Sequence, residues 1–370
     1  IRMNKGQSTV NSTHLKLIKK MSNNNLPFIV VSYGSPYLDD YSFIDTYICS
    51  YGYGHVSQTA VANAIFGRRK IQGILPIDLN LKYKRGDGIK VDVSSSIFNH
   101  NNDIDFSSSW EIIDNAIDKE LFPGAQILIV KDGDIIADKS FGHLTFDSNS
   151  RKIDSDTIYD VASLTKVIAT TPVIMKLIKK KYLHLNHEVS QFYPEFKGKW
   201  KDKVTIKHLL THSSGLKPYV QYFKDDSYQN SDDIINDIVS NQELLFEPGT
   251  EFKYSDLGMI LLMDIVEKVT GRNFDELVNS WVLKPMDMKN SYFNPPENIL
   301  SQIPPTEFDS VYRNKVIQGI VHDENAFLMG GVSGHAGLFS NTYDIANYAQ
   351  TMLNLGVYNG RRIFSSRSIK

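Results

Sequence analysis

From Trp110 onward the apolar positions follow helical spacing: Ile112, Ile113, Ala116 and Ile117 share one side of a segment running to Lys119, and predict an amphipathic helix. A hairpin should follow. Ala125–Val130 (AQILIV) and Ile135–Phe141 are strand-like runs flanking Lys131-Asp132-Gly133-Asp134, where Asp-Gly supplies the positive φ angles of a tight turn. The pattern then becomes helical, with helices expected at about 163–181, 205–211, 231–240, 257–269, 273–280 and 343–354. Later strands that would finish the sheet are not legible before Lys370. Ahead of Ile89, strand and helix patterns alternate: a strand at Phe28–Tyr33, another at Tyr47–Ser50, a helix from His55 to Phe66 ended by Gly67, then Pro76-Ile77-Asp78-Leu79. Val91–Ser109 is rich in Ser, Asn and Asp and has no apolar period, which is the texture of a linker. The pattern therefore divides the chain into 1–90, 91–109 and 110–370.

Composition narrows the class. A chain of 370 residues with 41% apolar content has material for two or three cores. Its net charge of −2 and its scattered basic clusters, such as Arg68-Arg69-Lys70 and Lys179-Lys180-Lys181, point away from nucleic acid. The single cysteine, Cys49, excludes an intrachain disulfide and reads as a packed thiol on a strand. No Cys/His spacing suggests a metal, no cofactor is implied, and no run is long and apolar enough to span a membrane. The chain starts at Ile1 without a charged-then-apolar leader and stops soon after Arg361-Arg362-Ile363-Phe364-Ser365, so it reads as a fragment.

Against this background Ser163-Leu164-Thr165-Lys166 is the strongest chemical signal. Serine is a poor nucleophile at neutral pH, and a lysine three residues later on a helix shares its face and can reach its hydroxyl. The N-terminal end of the buried helix Ser163–Leu177 would add free N–H groups and a positive dipole end, favouring a neutral lysine and a developing oxyanion. The competing reading makes Ser163 a helix cap and Lys166 a solvated charge. At Tyr254-Ser255-Asp256 a phenol stands two residues before a polar side chain at the head of the helix LGMILLMDIVEKV, where it could relay protons; alternatively Asp256 caps that helix and Tyr254 packs. His208 and His212, in HLLTHSSGL, lack a carboxylate partner at useful spacing and are assigned to structure.

Together these pieces resemble the β-lactamase-related serine hydrolases, which include penicillin-binding esterases, D-amino-acid peptidases and class C β-lactamases. The likeness runs in order through Phe122-Pro123-Gly124, the Lys-Asp-Gly hairpin, Ser163-x-x-Lys166, HLLTHSSGL, Phe246-x-Pro248-Gly249 with Tyr254-x-Asp256, Lys284-Pro285-Met286-Asp287-Met288 and GGVSGHAGLFS at 330–340. It implies Ser163 as acylated nucleophile, with Lys166 and Tyr254 sharing the general base and acid duties. Many members carry Asn where this chain has Asp256; a carboxylate there would oppose an anionic substrate and could hold Lys166 protonated, shifting the base role towards Tyr254. The family also has a Lys/His-Thr-Gly motif on a strand lining the site. Gly334-His335-Ala336-Gly337 is the candidate, with His335 as a substrate-binding residue. However, a helix follows it closely, so it is expected to be a loop near the pocket, with the true motif beyond Lys370 and weak or no turnover for the isolated chain. Lys268-Val269-Thr270-Gly271 is a decoy, since Gly271 ends a helix.

The front part is similar to the end of the C-terminal α/β domain of family 3 glycoside hydrolases of the β-N-acetylglucosaminidase kind. The likeness rests on Pro27–Tyr37 (PFIVVSYGSPY), Thr46–Gly54, Val56-Ser57-Gln58-Thr59-Ala60 and Gly73-Ile74-Leu75-Pro76-Ile77. Such enzymes keep their catalytic carboxylate on a barrel that this chain lacks, so Asp39-Asp40 are read as exposed loop charges. The expected fold is a partial layered α/β domain followed by an incomplete β-lactamase/transpeptidase-like α+β domain. The expected function is acyl-enzyme hydrolysis of an ester, amide or β-lactam in cell-wall metabolism, on a small molecule or a wall peptide or sugar, with a periplasmic or exported setting implied by the resemblance. Two alternatives stand beside it: the rear of a β-N-acetylglucosaminidase, and a non-catalytic wall-binding module.

Overall fold

In the computed structural model of the chain, the structure describes residues 12–23, 28–33, 44, 46–65, 71, 73–79, 83–89, 99–100, 104–131 and 133–369. Two compact units are distinguished, Ile1–Ile97 with Asn359–Arg361 and Phe98–Tyr358 with Arg362–Lys370.

In the first unit α1 (Ser12–Asn23) precedes β1 (Ile29–Ser32) and β2 (Thr46–Cys49), and α2 (His55–Ile65) follows. The strands run parallel, from Ile29 opposite Thr46 to Ser32 opposite Cys49, which requires a crossover rather than a hairpin between them. Pro76-Ile77-Asp78-Leu79 is not a strand; Leu75 instead exchanges backbone hydrogen bonds with Gly86 and Asp87. Half-burial of Cys49 on β2 raises its thiol pKa, the behaviour of a packed group. Asp39-Asp40, Gly67 and most of the expected linker lie outside the described residues.

The second unit opens with β3 (Asn99–His100) and α3 (Ser107–Asp118). The helix begins three residues before Trp110, because the Asp105 carboxylate accepts the Ser107 N–H at 2.9 Å and gathers the chain there; Ser107–Ser109 are helix, not linker. β4 (Gly124–Lys131) and β5 (Asp134–Gly142) form the expected hairpin, with Gly133 at φ 90° in the turn and β3 parallel to β5 on the other side. Trp110 rests on Phe141 at 5.5 Å between ring centroids, which seats α3 on the sheet.

Beyond β6 (Tyr159–Asp160) the chain is mainly helical: α4 (Thr171–Lys179), α5 (Ile206–Leu210), α6 (Ser231–Ser240), α7 (Asp256–Thr270) and α8 (Phe274–Val278). These helices share one core, with Val173, Ile174, Leu177, Leu209, Ile238, Ile260, Leu261, Ile265 and Phe274 fully buried. Helix α7 is apolar almost all round and lies at its centre, ended by Gly271 at φ 65°. The expected helix 163–181 is helical without interruption from Leu164 to Lys179, but widens into a π-helical turn, Lys166–Thr170, ahead of α4. Pro172 is the cause: it has no N–H to return and its ring crowds the preceding turn, so the backbone widens there.

Strands that the apolar pattern did not reveal appear as short pieces: β7 (Tyr292–Phe293), β8 (Glu307–Asp309), β9 (Lys315–Ile317) and, after α9 (Glu324–Leu328), β10 (Leu338–Ser340), with α10 (Thr342–Leu353) behind it. β10 runs antiparallel between β6 and β7. Leu338-Phe339-Ser340 is therefore a buried strand and not a loop; two or three residues are too few to show a period of two.

Candidate active site

Three segments meet at Lys166: the turn leaving β6, the start of α7, and the turn entering β10. Ala162 takes a left-handed conformation, φ 46°, unusual for a residue with a side chain. Asp160 accepts its N–H at 2.8 Å, and the Thr165 hydroxyl donates to its carbonyl at 2.6 Å. The same hydroxyl accepts the Leu338 N–H at 3.1 Å, tying the turn to β10. Ser163 follows Ala162 and is exposed. The N–H groups of Leu164, Thr165 and Lys166 are not the free donors expected of a helix start; they bond back to the carbonyls of Val161, Ala162 and Ser163.

Lys166 is only 3% exposed. Its Nζ lies 2.8 Å from Ser163 Oγ, 3.0 Å from the His335 carbonyl and 2.8 Å from Asp256 Oδ1. The first two are directed hydrogen bonds. The approach to Asp256 Oδ1 is off-axis, so charge rather than hydrogen-bond direction carries it. This arrangement excludes the reading of Lys166 as a solvated charge.

Asp256 is free for that contact because it does not cap α7. Ser255 is the cap: its Oγ accepts the Gly258 N–H at 3.3 Å and donates to the Lys217 carbonyl at 2.7 Å, leaving Asp256 as the first helical residue. Tyr254, 43% exposed, turns its ring face towards Lys166 Nζ at 4.8 Å. His212 stacks on that ring at 4.5 Å and accepts the Ser255 N–H on Nδ1 at 3.1 Å. His212, whose sequence context assigns it to structure, thus stands beside the site; its neighbourhood with Tyr254 crosses more than forty residues of chain and carries no local signal. His208 belongs to structure, as expected, closing the start of α5 with Thr205.

His335 enters the site through its backbone. Its ring is 1% exposed, held by Ser333 Oγ on Nδ1 at 2.8 Å and by Asp323 Oδ1 on Nε2 at 2.9 Å. Burial pushes the Asp323 carboxyl up, but His335, the Ala326 N–H that it accepts at 2.7 Å and Lys166 together outweigh it and leave the group below its ordinary range. Thr170 Oγ1 donates to the Gly334 carbonyl at 2.6 Å, so two successive carbonyls of this turn face the segment that carries the nucleophile. Gly334 permits this closeness: a Cβ there would stand 2.1 Å from the Met259 carbonyl of α7.

A hydroxyl, a buried amine and a facing phenol in this order suit acyl transfer. Among the described residues no His/Cys/Asp/Glu group could hold a metal. No described helix is long and apolar enough to cross a membrane. A surface cleft lined by Tyr193, Glu195, Asp232, Asp264 and Lys268 contains none of the residues above.

A helical core beside small antiparallel sheets, with serine and lysine one turn apart at their junction, defines the penicillin-binding-protein-like fold. The chain belongs to the Beta-lactamase family, whose model matches residues 111–369. It is 33% identical over 289 residues to an N-acetylmuramyl-L-alanine amidase of Bacillus subtilis (strain 168), covering 69% of this chain and 65% of that protein. It is also 33% identical over 286 residues to a putative D-alanyl-D-alanine carboxypeptidase of Salmonella agona (strain SL483), covering 70% and 66%. The chain thus spans just under two thirds of the length of these relatives. Among solved structures, the octameric penicillin-binding protein homologue from Pyrococcus abyssi superposes with a TM-score of 0.59 at 26% identity, covering 72% of this chain and 59% of that one. A putative beta-lactamase from Bacteroides dorei gives 0.55 at 24% identity, covering 72% and 68%, a likeness of fold.

Proposed function

We propose that the β-lactamase-like domain is a serine acyl hydrolase of cell-wall metabolism, with Ser163 as nucleophile, Lys166 and Tyr254 as proton carriers, and Asp256 beside the substrate. The observation that carries this reading is the 2.8 Å contact from buried Lys166 Nζ to exposed Ser163 Oγ. In the reaction Ser163 Oγ adds to the acyl carbon and its proton passes to the carriers Lys166 and Tyr254, the ion pair with Asp256 favouring Tyr254 for the base role while it holds the lysine charged. Collapse of the tetrahedral adduct expels an amine or alcohol, which takes up that proton from these carriers, and water then releases the acyl group. His335 contributes its carbonyl to holding Lys166, and its ring holds the turn. A wall-derived amide is the favoured substrate class, supported by the names of the two curated relatives.

The division into a front segment 1–90, a linker from 91 and an acyl-hydrolase domain, its expected start at 110 set back to Ser107 by α3, is part of the same proposal, as is the assignment of the front segment to the end of a family 3 glycoside hydrolase α/β domain. The parallel β1–β2 pair followed by α2 favours that assignment. It would join a glycosidase to an acyl hydrolase in one exported protein.

Intact-mass analysis after exposure to benzylpenicillin or an activated ester tests the acyl-enzyme. An adduct on the native chain that is absent from Ser163→Ala is the expected result. No adduct, or the same adduct on both, would refute the assignment of Ser163.

A further inference from the structure

His212 holds the backbone on both sides of Tyr254. Its carbonyl accepts the Lys253 N–H at 2.8 Å, and its ring Nδ1 accepts the Ser255 N–H at 3.1 Å. Between those two bonds the imidazole stacks on the Tyr254 ring at 4.5 Å with 32° between planes, while Phe252 meets the imidazole edge-on at 6.1 Å. His212 itself is left-handed at φ 53°, a conformation that costs a non-glycine residue free energy. Around it, the Ser213 N–H donates to the His208 carbonyl at 2.9 Å and the Gly249 N–H to the Ser213 carbonyl at 2.8 Å, so the turn is held from both ends.

We propose that His212 is the positioning residue that fixes Tyr254 against Lys166, an inference that rests on the serine hydrolase reading above. The clamp depends on the protonation of one atom. Nδ1 accepts an N–H, so it must be bare, and the neutral ring carries its proton on Nε2. The charged and titratable groups around the ring are Lys166, Asp256 and Tyr254. Burial first and Lys166 second hold the imidazole below its ordinary range, against the opposing pull of Asp256, so the ring is neutral at pH 7. As pH falls through that lowered value Nδ1 gains a proton, two donors face each other, and the clamp on Tyr254 opens. Acylation is therefore lost on the acid side through a residue that touches no substrate.

Two substitutions separate the acceptor from the ring. His212→Asn places an oxygen where Nδ1 stands, tolerates the left-handed backbone and does not titrate. His212→Phe keeps an aromatic surface against Tyr254 and removes the acceptor. The full chain and both variants are compared by stopped-flow acylation of Ser163 with an activated ester across pH, with thermal melting alongside. His212→Phe is expected to slow acylation on the order of 10²-fold, with little change in half-saturating ester, since small misplacements of catalytic groups cost that much. His212→Asn should recover all but a few-fold of the rate and lose the native acid-side inflection. Equal rates for the native chain and His212→Phe would overturn the proposal, as would equal losses in both variants with native melting, or an unchanged acid limb in His212→Asn. Nitrogen NMR of histidine-labelled chain gives a readout independent of acylation. A bare Nδ1 and protonated Nε2 at residue 212 are expected, and the reverse tautomer would overturn the clamp even with acylation intact. A native chain that is never acylated but shows the expected tautomer would instead refute the hydrolase reading.

Discussion

Thr165 offers the sharpest test of how the fold presents Ser163. Leu338 is fully buried; its carbonyl accepts the Val161 N–H in the ladder, whereas its own N–H has no ladder partner once the chain turns away at Ala162. The Thr165 hydroxyl takes that N–H at 3.1 Å and donates to the Ala162 carbonyl at 2.6 Å. Thr165→Val keeps the shape and removes both bonds. The Ala162 carbonyl still receives the Thr165 N–H at 3.0 Å, so its loss is one net hydrogen bond, about 1 kcal/mol. The Leu338 N–H is left orphaned, which costs about 1–3 kcal/mol more. With a sum near 3 kcal/mol and about 2–4 °C per kcal/mol for a domain of this size, melting should fall by roughly 6–12 °C. Thr165→Ser keeps the hydroxyl and gives up a buried methyl, about 1 kcal/mol, so it should fall only a few degrees. Calorimetry of the three chains measures the difference, and acylation of Ser163 should follow the same order, because the lost bonds hold Ala162 in its left-handed turn. If Thr165→Val melts and acylates like Thr165→Ser, the hydroxyl bridge is not what seats the nucleophile.

Gly334→Ala places a Cβ 2.1 Å from the Met259 carbonyl, so α7 and the turn before β10 must part; a melting loss equivalent to about 1–3 kcal/mol is expected, and slower acylation should accompany it as the His335 carbonyl leaves Lys166. Native-like melting and acylation would show that the turn is not packed as described. For Asp323 the folded carboxyl titrates below its ordinary value, so its contribution to stability is complete above that ordinary value and disappears as pH falls through the folded one. The melting gap between the native chain and Asp323→Asn should be constant near neutrality and close in acid; a gap that widens in acid would reverse the assigned sign. Lys166→Met should reduce acylation by about 10²–10⁴-fold, measured as the rate of adduct formation, and a change under tenfold would remove Lys166 from the proton path.

The sequence by itself settled much of the framework. Helical periodicity located α6 and α7 to within a residue, Asp-Gly marked the β4–β5 turn, and Gly271 marked the end of α7, because each of these is decided by interactions a few residues long. Ser163 and Lys166 were legible for the same reason, being three residues apart on one chain face. Tertiary structure decided the rest. Ser255 rather than Asp256 caps α7 because the Lys217 carbonyl, 38 residues away, fixes the serine hydroxyl, and Asp256 is thereby turned to Lys166. His335 lends its carbonyl and buries its ring because Ser333 and Asp323 each hold one nitrogen of the imidazole, and His212 reaches Tyr254 from a different helix end. Local rules determine which conformations a segment can adopt. Which polar group meets which at the site depends on bringing distant segments into one buried space, where every donor must find its acceptor.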